Sequence, residues 1–208
     1  MKGLLLKDIL GLKRFGKTIL VFLGIVLLIG IMNHSDSSFY AGMIIMYTAM
    51  LTITSFSIDE SSKWMQFALS MPIRRTTFVL EKYVLGLLLA FGGVLISLCM
   101  EEILIVTTHQ SWNIEMLVGI AMTFFVGVIM ISLFIPLLYR FGTEKARLML
   151  ILFFAVPFFG IFLMNQVFSF SIDSWDVEAM IKLSPIITLI IVSLSYIVSK
   201  KVVQKKEY

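Results

Sequence analysis

The sequence has little of what a soluble domain needs. Only 14% of its 208 residues are charged, and it contains one cysteine, two histidines and four prolines. A single cysteine, Cys99, excludes a disulfide within the chain and a Cys/His zinc pattern. So few charged residues cannot supply the polar surface of a soluble domain of this size.

Hydrophobic residues make up 59% of the chain and fall into long runs. A helix that crosses a bilayer needs about 20 mostly apolar residues. The sequence predicts six such spans, at about 18–33, 39–57, 83–108, 115–139, 148–168 and 183–199. Because backbone polar groups in lipid must be paired within the chain, we expect an all-α, polytopic integral membrane fold that forms one domain over residues 1–208.

The basic residues predict the orientation. If both termini are cytoplasmic, 16 of the 17 lysines and arginines lie on the cytoplasmic side, and only Lys182 lies outside. This asymmetry follows the positive-inside rule. The net charge of +4 therefore reflects membrane topology, and we expect no nucleic acid as a partner. The predicted location is a cell membrane, with both termini in the cytoplasm.

Residues 1–17 are predicted to form an amphipathic helix on the membrane surface, in contact with lipid. The stretch GLKRFGKT, residues 11–18, also satisfies the phosphate-loop pattern. That pattern binds nucleotide between a buried strand and a helix of a soluble sheet. Here a transmembrane run follows it, so we interpret it as part of the interfacial helix and expect this chain to bind no cofactor.

The polar stretch SIDESSKWMQFALSMPIRR, residues 57–75, interrupts the apolar runs on the predicted cytoplasmic side. Ser57 and Glu60 have the spacing of a capping box, which predicts that a helix begins there. Pro72 predicts its end. Four apolar residues follow the i, i+3, i+4, i+7 spacing of one helix face: Trp64, Phe67, Ala68 and Met71.

Two interpretations of this segment remain open. It is either a membrane-surface helix that bridges two spans, with Trp64 as a headgroup anchor, or a docking helix for a cytosolic protein.

The run DESSKWMQFALSMPIRRTTFVLEKY, residues 59–83, resembles the segment between the second and third spans of type-2 ABC transporter permeases. The six-span plan, the basic N-terminal helix and the chain length are similar to the compact bacterial branch, which includes exporters of phenol-soluble modulins and antimicrobial peptides. The resemblance implies that residues 57–75 are the cytoplasmic coupling segment, whose coupling helix, Asp59 to Met71, contacts a separate ABC ATPase. Its implied contacts are Asp59, Glu60, Lys63, Trp64, Phe67, Ala68 and Met71.

The resemblance also implies that the chain is not itself an enzyme. ATP and Mg²⁺ would bind to the partner ATPase, a second permease subunit would complete the pathway, and the cargo would be an amphipathic peptide. No catalytic set, metal cluster or cofactor loop is predicted here. The alternative is a membrane-embedded immunity, sensor or scaffold protein that has no transport pathway.

Two further sets of residues can each be interpreted in two ways. Glu101 and Glu102 lie late in the third predicted span, either at the outer membrane boundary or on an acidic lining of the pathway. Gly119, Thr123 and Gly127 repeat every fourth position, which favours close helix packing. That packing is either within the chain or between two permeases.

Overall fold

The computed structural model describes residues 2–33, 37–69, 75–108, 112–146, 148–149 and 177–205. All the regular structure in these ranges is helical. The helices are α1 (Lys2–Leu12), α2 (Gly16–Asn33), α3 (Ser37–Ser61), α4 (Trp64–Leu69), α5 (Arg75–Thr108), α6 (Ile114–Phe141) and α7 (Val177–Lys205). A 3-10 turn, Lys13–Phe15, joins α1 to α2.

Five helical stretches in the described residues are long and apolar enough to cross a membrane: Lys2–Met32, Phe39–Ser61, Arg75–Thr107, Ile114–Phe141 and Ile181–Lys205. The prediction of an all-helical polytopic membrane protein is therefore confirmed. The predicted span 148–168 lies almost entirely outside the described residues. A count of six spans stays a prediction.

The phosphate-loop pattern at residues 11–18 lies within helical backbone. Gly11 belongs to α1, Lys13–Phe15 form the 3-10 turn, and Gly16 begins α2. A phosphate-binding loop needs consecutive backbone N–H groups that point into one concavity. In these helical residues most N–H groups point along the helix axis, so the nucleotide interpretation loses its structural basis.

Helix α3 packs against both α5 and α6. One close approach is at Gly93 of α5, where an added Cβ would lie 3.1 Å from Ile45 Cα and would overlap the Thr48 hydroxyl. Thr48 bonds its hydroxyl to the Ile45 carbonyl at 2.9 Å, which satisfies this buried group within α3. The small residue thus lets the two backbones come together.

The predicted small-residue repeat on α6 faces α3. A Cβ added at Gly127 would lie 3.6 Å from the Ile45 side chain, and the Thr123 side chain lies 3.5 Å from the position of a Cβ added at Gly42. Thr123 donates its hydroxyl hydrogen to the Gly119 carbonyl at 2.9 Å. Of the two interpretations left open, these contacts are those of packing within one chain.

A small polar network joins α5, α6 and α7 inside the bundle. The Tyr83 hydroxyl lies 2.5 Å from Ser195 Oγ and 3.0 Å from Ser199 Oγ. Ser195 also donates to the Ser132 carbonyl. Because buried hydroxyls in an apolar medium require partners, this network fixes the relative register of the three helices.

Candidate functional site

The candidate site is the bundle end where α1, the last turns of α3, α4 and the start of α5 meet. The predicted helix start at Ser57 is wrong, because Ser57 lies inside α3, which continues to Ser61. The Ile58 carbonyl near the end of α3 accepts hydrogen bonds from the Ser61 and Ser62 hydroxyls at 2.9 and 2.8 Å. Lys63 then adopts a left-handed backbone with φ of 51°, which turns the chain.

The helix that follows this turn begins later than predicted. Within the described residues, helix α4 spans Trp64–Leu69. Asp59 and Glu60, predicted to lie on it, belong to the end of α3. Met71 and Pro72 lie outside the described residues. The start differs because both acids bind other helices, and these tertiary contacts favour continuation of α3 over a local cap.

Four charged side chains form a closed ring of ion pairs between α1, α3 and α5. Lys82 Nζ lies 2.5 Å from Asp8 Oδ2 and 2.6 Å from Asp59 Oδ2. Lys7 Nζ pairs with the other oxygen of each aspartate, at 2.8 Å from Asp8 Oδ1 and also in contact with Asp59 Oδ1. Each lysine therefore binds both aspartates, and the ring is neutral overall.

Two members of the ring are shielded from solvent, while Lys7 and Asp59 are half-buried. Asp8 is 3% exposed and Lys82 is 4% exposed. Ser55 adds a hydrogen bond to Asp8 Oδ2 at 2.9 Å and accepts one from Lys82 Nζ at 2.7 Å. Desolvating these charges is costly, so each depends on its partners. The ring fixes α1 to the residues just before α4.

Helix α4 rests on α1 and α5 through its apolar face. Ala68 is fully buried in a cluster with Leu4 and Phe78, and Trp64 packs against that cluster. Lys7 Nζ also lies 4.5 Å from the centre of the Trp64 ring, a cation–π contact. Trp64 and Ala68 therefore face inward.

Glu60 connects the end of α3 to the turn that follows α6. Its Oε2 accepts hydrogen bonds from the Thr143 backbone N–H at 2.7 Å and from the Thr143 hydroxyl at 2.5 Å. Gly142 has φ of 82°, and a Cβ there would lie 2.7 Å from Glu60 Oε1. Glycine both permits this backbone and leaves room for the carboxylate.

Of the predicted docking residues, Ala68 is buried and Asp59 and Trp64 are half-buried, while Glu60, Lys63 and Phe67 are exposed. Phe67 is the largest of the exposed side chains, with 58% of its surface accessible. Its ring centre lies 5.5 Å from that of Trp64. Phe67 is therefore an exposed aromatic side chain on a helix whose other face is packed against the protein.

A cleft of about 240 Å³ opens beside this segment. Side chains of α3, α4, α5 and α6 line it. Its walls combine aromatic and charged groups, among them Phe56, Trp64, Phe78, Tyr139, Glu60 and Glu81. The cleft is thus both apolar and acidic.

The two acids of the third predicted span lie in different surroundings. Glu101 is 1% exposed and lines a cavity of about 10 Å³ with Tyr40 and Ser97. Glu102 is exposed. In the described residues Glu101 thus lines a small cavity between α2, α3 and α5, and Glu102 faces outward. The boundary and pathway interpretations both stay predictions.

Residues 3–204 match the family model described as ABC-2 family transporter protein. The chain belongs to the ABC-2 transporter family. It is thus the membrane subunit of an ABC transporter, and the family implies a partner ABC ATPase subunit. No curated protein and no solved structure matches this ABC-2 protein.

The main feature missed by sequence reasoning is the ion-pair ring of this ABC-2 protein. The sequence predicts Asp59 as a contact for the partner ATPase and not as a member of an ion-pair ring. The available signal was Asp8, an acid in the apolar stretch LLLKDILGL. An acid that is buried there requires a cation, and Lys82, directly before the third predicted span, offered one.

Proposed function

We propose that this ABC-2 protein is the permease of an ATP-driven exporter in the bacterial cell membrane, with both termini in the cytoplasm. Its partner ATPase binds ATP and Mg²⁺ and docks on the segment 57–75. A second permease completes the pathway. The cargo is an amphipathic peptide, a proposal that rests on the resemblance to peptide exporter permeases.

One observation carries the docking proposal. Phe67 projects from a helix that packs against α1 and α5 through Trp64 and Ala68, and the Lys7 ammonium group lies over the Trp64 ring. A large aromatic group on a rigid support loses little side-chain freedom on binding, and such groups dominate the energetics of many protein interfaces. Movement of the ATPase would then act on three helices together.

The same arrangement suggests how force is transmitted. Asp59 joins the end of α3 to α1 and α5 through Lys7 and Lys82. Glu60 joins it to Thr143 after α6. A displacement of α4 would pull on the end of α3, which these bonds join to α1, to α5 and to Thr143 after α6. This link supports a role in rearranging the spans.

Replacing Phe67 by alanine removes the proposed anchor. We expect recovery of the co-expressed ATPase with the Phe67→Ala permease to fall about fivefold, because the exposed ring carries much of the contact. ATP-driven uptake of a fluorescent amphipathic peptide by inside-out proteoliposomes should fall in parallel. Affinity purification and uptake at matched permease content measure the two effects.

The matched control is Phe39→Ala. Phe39 is also exposed, but it lies at the opposite end of α3. Unchanged ATPase recovery with Phe67→Ala, or an equal loss with Phe39→Ala, would contradict docking at this segment. A sensor or scaffold protein that needs no ATPase would give the first of these results.

A further inference from the structure

Helix α6 contains a proline, Pro136, within its span. Proline has no backbone N–H, so it cannot donate to the carbonyl four residues earlier, and its ring crowds that carbonyl. In α6 this carbonyl belongs to Ser132, which is 1% exposed. The Ser132 hydroxyl is already used, because it donates to the Val128 carbonyl at 2.8 Å. The Ser132 carbonyl therefore needs a donor from outside the α6 backbone.

Another helix supplies this donor. Ser195 of α7 donates its hydroxyl hydrogen to the Ser132 carbonyl. Because each hydroxyl has a single hydrogen, the remaining donors are then fixed. The Tyr83 hydroxyl of α5 donates to Ser195 Oγ at 2.5 Å, and Ser199 donates to the Tyr83 oxygen at 3.0 Å. The carbonyl freed by the proline is thus the final acceptor of a buried chain of hydroxyls.

The proline of α7 differs in this respect. Pro185 frees the Ile181 carbonyl of its own helix in the same way. The hydroxyl of Ser184, the residue directly before this proline, donates to that carbonyl at 2.8 Å. Helix α7 therefore satisfies its carbonyl locally, whereas α6 depends on a bond to a neighbouring helix.

The part of α6 that follows Pro136 is bonded to the candidate site. Tyr139 donates its hydroxyl hydrogen to the Phe78 carbonyl of α5 at 3.2 Å. The turn after α6 is held by Glu60 through the Thr143 backbone N–H. The part of α6 before the proline packs against α3 instead. A cavity of about 270 Å³, with walls from α6 and α7, lies beside the proline, so the end of α6 has space to move.

We propose that Pro136 is a hinge of α6 and that the hydrogen bond from Ser195 to the Ser132 carbonyl is its latch. The inference rests on the proposed function and deepens it. Movement of the segment 57–75 pulls on the end of α6 through Glu60. Helix α6 then bends at the proline, where its backbone hydrogen bonding is already interrupted. Bending separates Ser132 from Ser195, so the contact between α6 and α7 opens together with the hinge.

A double-mutant cycle in the permease alone tests the latch. Ser195→Ala should raise the equilibrium constant for unfolding about tenfold, because a buried carbonyl without a donor is costly. With Pro136→Ala, the N–H of the alanine can bond to the Ser132 carbonyl. In that background Ser195→Ala should raise the constant by less than about threefold. Unfolding of the detergent-solubilised protein, followed by tryptophan fluorescence, measures both effects.

Ser199→Ala is the matched control for the cycle. Among the described hydrogen bonds, Ser199 donates to Tyr83 and not to the Ser132 carbonyl. Its replacement should therefore have the same effect whether position 136 is proline or alanine. Equal effects of Ser195→Ala in the two backgrounds would overturn the latch. A background dependence of Ser199→Ala as large as that of Ser195→Ala would also overturn it, since the proline would then act on the whole network.

Transport by the permease–ATPase complex in proteoliposomes tests the hinge. Pro136→Ala restores the missing N–H and stiffens α6. We expect the amount of fluorescent amphipathic peptide moved per ATP hydrolysed to fall about fivefold, while recovery of the ATPase stays within about twofold of wild type. Pro185→Ala is the matched control, because its carbonyl partner lies in its own helix. It should leave both values unchanged.

The outcomes separate the hinge from the docking proposal. An unchanged transport ratio with Pro136→Ala, or an equal fall with Pro185→Ala, would overturn the hinge while docking stands. Loss of ATPase recovery with Pro136→Ala would also overturn it, since the proline would then act on docking. A wild-type complex that moves no peptide would overturn the proposed function and the hinge with it, whereas the double-mutant cycle would still decide the latch.

Discussion

Lys82→Met is expected to destabilise the protein by about 3–5 kcal/mol, the range for removing one partner of a buried ion pair. Methionine preserves the apolar stem of the lysine but leaves Asp8 without its partner on α5, and Asp59 with only Lys7. Both carboxylates then depend on Lys7, a half-buried lysine, as their remaining ion-pair partner. Unfolding of the detergent-solubilised protein, followed by tryptophan fluorescence, measures the loss.

Two further variants show whether the ring is responsible. Lys13→Met removes an exposed charge in the 3-10 turn and should leave the unfolding free energy within about 0.5 kcal/mol of wild type. Combining Lys82→Met with Asp8→Leu should restore part of the loss, since a buried pair replaced by apolar groups can be neutral. The ring would be contradicted if the double variant lost as much unfolding free energy as the two single variants added together.

Gly93→Ala is expected to destabilise the protein by about 1–3 kcal/mol, the usual cost of inserting a group into a packed core. The new methyl would overlap the Thr48 hydroxyl and approach the Ile45 backbone at 3.1 Å. Relief requires Thr48 to change rotamer, which breaks its 2.9 Å hydrogen bond to Ile45, or requires α3 and α5 to separate. Denaturant or thermal unfolding in detergent measures the change.

The adjacent glycine provides the control. A Cβ at Gly92 meets nothing within 4 Å, so Gly92→Ala should be neutral or stabilise the helix by up to about 1 kcal/mol. The two substitutions are chemically identical and lie on the same helix. Equal effects would show that helix propensity, and not the α3–α5 contact, sets the stability at this position.

The membrane fold could be predicted from the sequence because lipid imposes a single dominant rule. Long apolar runs must form helices, so hydropathy alone located the runs that form α2, α3, α5, α6 and most of α7. The ends of the helices were harder to predict from the sequence. Ser57 and Glu60 have the spacing of a cap, but the pairing of Glu60 with Thr143, 83 residues away, could not be read from a local pattern.

The candidate site could be predicted only in part, for the same reason. The apolar spacing of Trp64, Phe67 and Ala68 located α4, although two of these residues face inward and only Phe67 is strongly exposed. The charge count predicted an orientation but not which charges pair. The ring joins positions 7, 8, 59 and 82, whose proximity depends on how α1 folds back onto α3 and α5.

Hydrogen exchange in the assembled complex tests the central claim, docking of the ATPase on this segment, most directly. Peptides that cover Lys63, Trp64 and Phe67 are compared in the permease alone and in the purified permease–ATPase complex, both in the same lipid nanodiscs. We predict that exchange at these residues slows at least tenfold when the ATPase is bound, while exchange around Phe39 at the other end of α3 does not change. Unaltered exchange at Lys63, Trp64 and Phe67 in a complex that retains its ATPase would contradict the account.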